Sequence, residues 1–67
     1  MLFSEYLKSF AKEESPIGDL ARDFINSKSR ATTYIGILKN LKKNNACLAA
    51  YDSLECVHAY YVKQFNN

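Results

Sequence analysis

Three observations predict an all-α fold. Apolar residues recur at helical spacing along the whole chain. No alternating apolar and polar run is bounded by turn residues, as a strand would be. Turn punctuation is sparse, with two glycines and one proline. The 67 residues allow one domain, 1–67, and a chain of this size buries only about 60% of its unfolded surface, so its core is one thin layer. With 48% hydrophobic and 24% charged residues, the composition is too apolar for a disordered chain. No apolar stretch approaches the ~20 residues of a membrane span. The expected architecture is a small four-helix bundle whose C-terminal helix is the longest.

The first helix is expected over Leu2–Lys12, where Leu2, Phe3, Tyr6, Leu7 and Phe10 fall on one face. Glu13-Glu14-Ser15-Pro16 ends it, because a residue before proline avoids the helical region. Ser15 then caps a second helix with Pro16 at its first position, where the missing N–H costs nothing. Ile17, Leu20, Ala21, Phe24 and Ile25 form its apolar face, and it fades near Asn26-Ser27. Gly18 is costly inside a helix, by about 1 kcal/mol against alanine, so its presence predicts close approach of another element, the first helix.

Lys28 to Ala31 reads as a loop, and Thr32 or Thr33 caps a third helix. That helix carries Tyr34, Ile35, Ile37, Leu38 and Leu41, with Gly36 as a second close-packing point, and ends at Lys42-Lys43-Asn44-Asn45. Cations suit a helix C-terminus, and asparagine tolerates the left-handed conformation that ends one. The last helix is expected from Ala46, capped by Asn45, to about Phe65, or alternatively from near Ala49. Ala50, Leu54, Val57, Tyr61 and Phe65 form its stripe. The expected core is Phe3, Tyr6, Leu7, Phe10, Ile17, Leu20, Ala21, Phe24, Ile37, Leu38, Leu41, Leu54, Val57 and Tyr61.

The formal net charge of +2 is unevenly spread. Leu20–Asn45 holds Arg22, Lys28, Arg30, Lys39, Lys42 and Lys43 against Asp23 alone, a net of +5, while the rest of the chain nets −3. Such asymmetry points to a polyanionic or acidic partner. Cys47 and Cys56 are nine residues apart, which separates them by about 13 Å along one helix, too far for a disulfide. They read as small hydrophobes in a reducing compartment, and the N-terminus lacks the pattern of a signal peptide. The expected location is the cytoplasm.

The segment Ser15-Pro16-Ile17-Gly18-Asp19-Leu20-Ala21-Arg22-Asp23 resembles the P-x-G-D-L-A-x-D motif of the YozE-like family, small bacterial and phage proteins. Phe3-Ser4-Glu5-Tyr6-Leu7 is similar to that family's aromatic-rich first helix, and Leu54, His58 and Tyr61 stand where its last helix carries an F-x-x-x-W-x-x-Y pattern. His58 replaces the family's tryptophan, and the loop after Phe24 lacks its usual F-P step. The resemblance spans nearly the whole chain, with Pro16–Asp23 its specific part. It implies a SAM-like helical fold and, by analogy, binding of protein or nucleic acid. It implies no catalytic residue.

Cys56 and His58 lie two apart and do not converge on a helix, so His58 is expected at the rim of the core. Asp19 and Asp23 share a helix face but lack the cleft and further ligands of an acid–base or metal site. Ser4 and Ser9 have no base at a recognisable spacing, and no glycine-rich phosphate loop exists. The expectation is therefore a protein that is not an enzyme, with no catalytic, metal or cofactor-binding residue and no small-molecule substrate.

Two binding surfaces remain. Tyr51 and Tyr60 on the last helix are the candidate protein interface, because Tyr51, Tyr60 and Tyr61 cannot all face one core. Its partner would be another protein or a second copy of the chain in a homodimer. Lys28, Arg30, Lys39, Lys42 and Lys43 form the alternative, a DNA- or RNA-binding face, with Asn40, Asn44 and Asn45 adding hydrogen bonds. No membrane partner is expected.

Overall fold

The computed structural model describes residues 1–65. Helices α1 (Phe3–Lys8), α2 (Pro16–Asn26), α3 (Tyr34–Lys43) and α4 (Leu48–Phe65) account for most of them, and no strand occurs among the described residues. Eighteen residues make α4 about 27 Å long, close to the 32 Å of the longest molecular dimension. The other three helices all pack on it, while α2 and α3 do not pack on one another.

Helix α1 is shorter than the expected Leu2–Lys12. The Ser9 hydroxyl donates to the Tyr6 carbonyl at 2.5 Å, and the Ser9 amide is shared between Glu5 and Tyr6. From there the backbone tightens to i→i−3 bonds, Phe10 to Leu7, Ala11 to Lys8 and Glu13 to Phe10. A serine hydroxyl competing for the helix carbonyls is the physical cause. The Glu5 carboxylate accepts from the Leu2 amide and closes the other end.

Helix α2 follows the expectation closely. The Ser15 hydroxyl accepts from the Gly18 amide at 3.2 Å, and Pro16 occupies the first turn. The element that crowds Gly18 is the turn after α1 rather than α1 itself. A Cβ at Gly18 would stand 1.9 Å from the Glu13 carbonyl oxygen and 3.2 Å from that of Phe10. At the far end Lys28 adopts φ 55°, the left-handed position that stops the helix, and its amide bonds the Ile25 carbonyl. The Ser27 hydroxyl donates to the Phe24 carbonyl and accepts from the Ser29 amide.

Thr33, not Thr32, caps α3, accepting from the Gly36 amide at 3.1 Å. Asn45 does not cap α4. It ends α3 with φ 54°, its amide bonding Lys42 and the Ala46 amide bonding Leu41, a Schellman arrangement. Ala46 and Cys47 are spent on that exit, so α4 begins at Leu48, between the two starts expected.

All fourteen expected core residues reach the core. Phe3, Leu7, Leu20, Ala21, Phe24, Ile37, Leu54 and Val57 are buried, and Tyr6, Phe10, Ile17, Leu38, Leu41 and Tyr61 pack against them half-buried. Ile25 and Ile35, assigned to apolar faces, are instead exposed. Ile25 sits at the edge of the α2 stripe, and Ile35, two residues before the buried Ile37, falls on the solvent side of α3. Rings tie α1 to α4: Phe10 meets Tyr6, Tyr6 meets Tyr61 and Phe65, and Phe3 meets Tyr61, His58 and Tyr34. The Tyr61 hydroxyl donates to the Met1 carbonyl at 2.6 Å.

Candidate interaction surfaces

Among the described residues, Arg22 is the one cation of the basic segment whose side chain has hydrogen-bond and ion-pair partners. Its guanidinium donates to the Ala11 carbonyl at 2.7 Å and the Glu13 carbonyl at 2.9 Å, and pairs with the Asp19 carboxylate. It thereby fixes the turn after α1 against α2. Asp19 and Asp23 are divided by this: the Asp19 carboxylate is held by Arg22, and no hydrogen bond or ion pair engages the Asp23 carboxylate among the described residues.

Lys39, Lys42 and Lys43 are exposed and share the solvent face of α3, opposite the buried Ile37. No ion pair involves them among the described residues, and no carboxylate lies within a turn of them on α3. Lys28 and Arg30 are also exposed but stand off that helix face, in the loop between α2 and α3. The five expected cations therefore divide into a helical group of three and a loop pair.

Tyr51 and Tyr60 are separated too. Nine residues rotate a helix by half a turn beyond two full turns, which sets them on opposite sides of α4. Tyr51 is half-buried and Tyr60 is 52% exposed. They cannot serve one interface. Tyr60 shares its side of α4 with Cys56 and Ser53, four and seven residues earlier.

That side of α4 borders a trough. Because α2 and α3 pack on α4 but not on each other, a cleft of about 230 Å³ opens between them, floored by Leu20, Phe24, Ile37 and Ala50. A second hollow shares Leu20, Asp23, Cys47 and Ala50 with the first and runs on along α2 to Pro16. A third shares Pro16, Ala49 and Ser53 with the second and reaches Cys56. Small side chains at Ala46, Ala49, Ala50 and Ser53 are what leave the space. The sequence signal for it was present in the run of small residues, since alanine favours a helix and also leaves room beside it.

Both cysteines are free, exposed and on the trough, Cys47 just before α4 and Cys56 two turns into it. His58 lies at the rim of the core against Phe3 and Tyr34, away from Cys56. Ser4 is buried and Ser9 is engaged with the Tyr6 carbonyl. Among the described residues no three His, Cys, Asp or Glu side chains gather as metal ligands, and no helix is long and apolar enough to cross a membrane.

Comparison of the chain with protein-family models, with curated proteins and with solved structures found no match.

Proposed function

We propose that the chain is a small helical protein-interaction module that binds through the α2–α4 surface, either to another protein or to a second copy of itself. The observation that carries this reading is the trough itself, a solvent-open hollow continuous along α2 and α4, with the half-exposed Tyr60 on the same side of α4. Tyr60 stands one helical turn beyond Cys56, where the hollow ends, and exposed tyrosines are favoured at protein interfaces. The surface chemistry supports binding rather than catalysis: the carboxylate pair of α2 is split, with Asp19 given over to Arg22.

The YozE-like assignment and its SAM-like fold are part of the same proposal. Their support is the Pro16–Asp23 segment, whose residues carry the fold: Pro16 opens α2, Gly18 admits the Glu13 carbonyl, and Leu20 and Ala21 enter the core.

A second reading, DNA or RNA binding, is supported by the exposed, unpaired Lys39, Lys42 and Lys43 on one face, with Lys28 and Arg30 nearby in sequence. Affinity capture from cells expressing the protein, with and without nuclease, separates the two. A protein retained after nuclease and lost with Tyr60→Ala is the expected result. Capture abolished by nuclease and by replacing the three lysines would favour nucleic acid. Monomeric sedimentation with nothing retained would remove the interaction reading.

A further inference from the structure

We infer that the trough bordered by α2, α3 and α4 receives a basic amphipathic helix from a partner protein. This rests on the interaction reading above and names the chemistry of the partner.

The charged residues that line the trough are all acidic. Asp19, Asp23 and Asp52 line it, and they are all the aspartates of the chain. No lysine or arginine lines any of its three parts. Arg22 neutralises Asp19, but Asp23 on the α2 wall and Asp52 on the α4 wall have no ion pair among the described residues. The free carboxylates therefore stand on both walls, Asp23 along the first two parts of the trough and Asp52 at the third. An apolar floor between negative shoulders complements an apolar stripe between positive ones.

The shape selects a helix. From Pro16 to Ser27 the α2 wall runs about 17 Å, three helical turns, enough for anchors at i, i+3 or i+4, and i+7. An extended peptide would need a free sheet edge, and the described residues hold no strand. A polyproline ligand would need an aromatic-lined groove, and Phe24 is the lone aromatic in the lining. The chain's own basic face is a poor occupant. The solvent side of α3 offers Ile35 as its exposed large apolar residue, too little to cover a floor of this length.

Cys47 and Cys56 mark different parts of the trough and report its occupancy. The test titrates the intact protein with an 18-residue leucine–lysine peptide patterned as an amphipathic helix, and with its leucine–glutamate counterpart. Amide shifts are followed by NMR, and both thiols by their rate of alkylation. The expected result is binding of the lysine peptide, with shifts at Asp23, Ser27, Asn44, Cys47, Ala50 and Ser53 and slowed alkylation of both cysteines. Asp23→Asn with Asp52→Asn, both at exposed positions, should weaken binding by about fivefold, as loss of two surface charge pairs would. Equal affinity for the glutamate peptide, shifts confined to the α3 lysines, or thiols left unprotected would overturn the inference. Shifts that appear on raising the protein concentration alone would overturn it in favour of a second copy. In any of these cases a partner captured through Tyr60 leaves the module reading standing, whereas loss of both removes both.

Discussion

The imidazole of His58 lies nearly flat on the ring of Tyr34, centroids 3.9 Å apart and planes inclined by 21°. The stack joins α4 to the start of α3, and the edge of Phe3 meets both rings. A lone histidine beside an apolar stripe is thus a packing element, with its second partner supplied by α1.

The Tyr34–His58 pair should be energetically coupled. A double-mutant cycle with Tyr34→Ala and His58→Ala is expected to give about 0.5–1.5 kcal/mol of interaction energy, the range for stacked aromatic pairs. His58→Phe should keep most of it. Urea unfolding measures this, and additive single losses would contradict the stack.

Gly18 and Gly36 should respond differently to alanine. At Gly18 the new Cβ meets a backbone carbonyl at 1.9 Å, which no rotamer change relieves. A loss of about 1–3 kcal/mol is expected despite the gain in helix propensity. At Gly36 the nearest atoms belong to side chains, the Ala31 Cβ at 3.1 Å and the Thr33 Oγ1 at 3.3 Å, which need give by only a few tenths of an ångström. There the propensity gain of about 1 kcal/mol should offset the crowding, leaving stability almost unchanged. Equal thermal shifts for the two variants would refute the distinction.

Arg22→Ala should cost more than Asp19→Asn. The alanine removes two hydrogen bonds to the Ala11 and Glu13 carbonyls as well as the ion pair. About 1–2 kcal/mol is expected, discounted because the side chain is 42% exposed. Asp19→Asn leaves the carbonyl bonds intact and should cost under about 1 kcal/mol. Denaturant midpoints of the two variants and their double mutant check the order.

Lys28 holds a left-handed backbone that glycine adopts without strain. Lys28→Gly is expected to stabilise the fold by about 0.5–1 kcal/mol, and Lys28→Ala to give no such gain. The same pair also tests nucleic-acid binding, since both remove one loop cation equally.

The elements were legible where local chemistry decides them. Ser15-Pro16 marked the start of α2, and the apolar stripes marked the core, because spacing and capping act within one helix. The tightened turn after Ser9 was not legible, since it depends on a hydroxyl competing with the backbone and on Arg22 arriving from α2. Asn45 was ambiguous for a related reason: the same residue type serves a helix start and a helix end, and the three-dimensional exit of α3 decided it. The trough was hidden because it is a relation between three helices. Alanines that favour helix formation are also those that leave room above it. The division of Tyr51 from Tyr60 was the opposite case, readable from nine residues of helical rotation.

The seam of rings between α1 and α4 also sets the order of assembly. It joins residues near Phe3 to residues near Tyr61, so the intervening chain must be brought round before a ring of α1 can meet one of α4. Helices α3 and α4 are neighbours in sequence and close a far shorter loop. With six residues and few hydrogen bonds of its own, α1 has little helical stability before the seam forms. It is therefore expected to close last and open first, as a latch does. Its amides should exchange with solvent hydrogen through partial openings that leave the Leu54–Val57 turn of α4 protected.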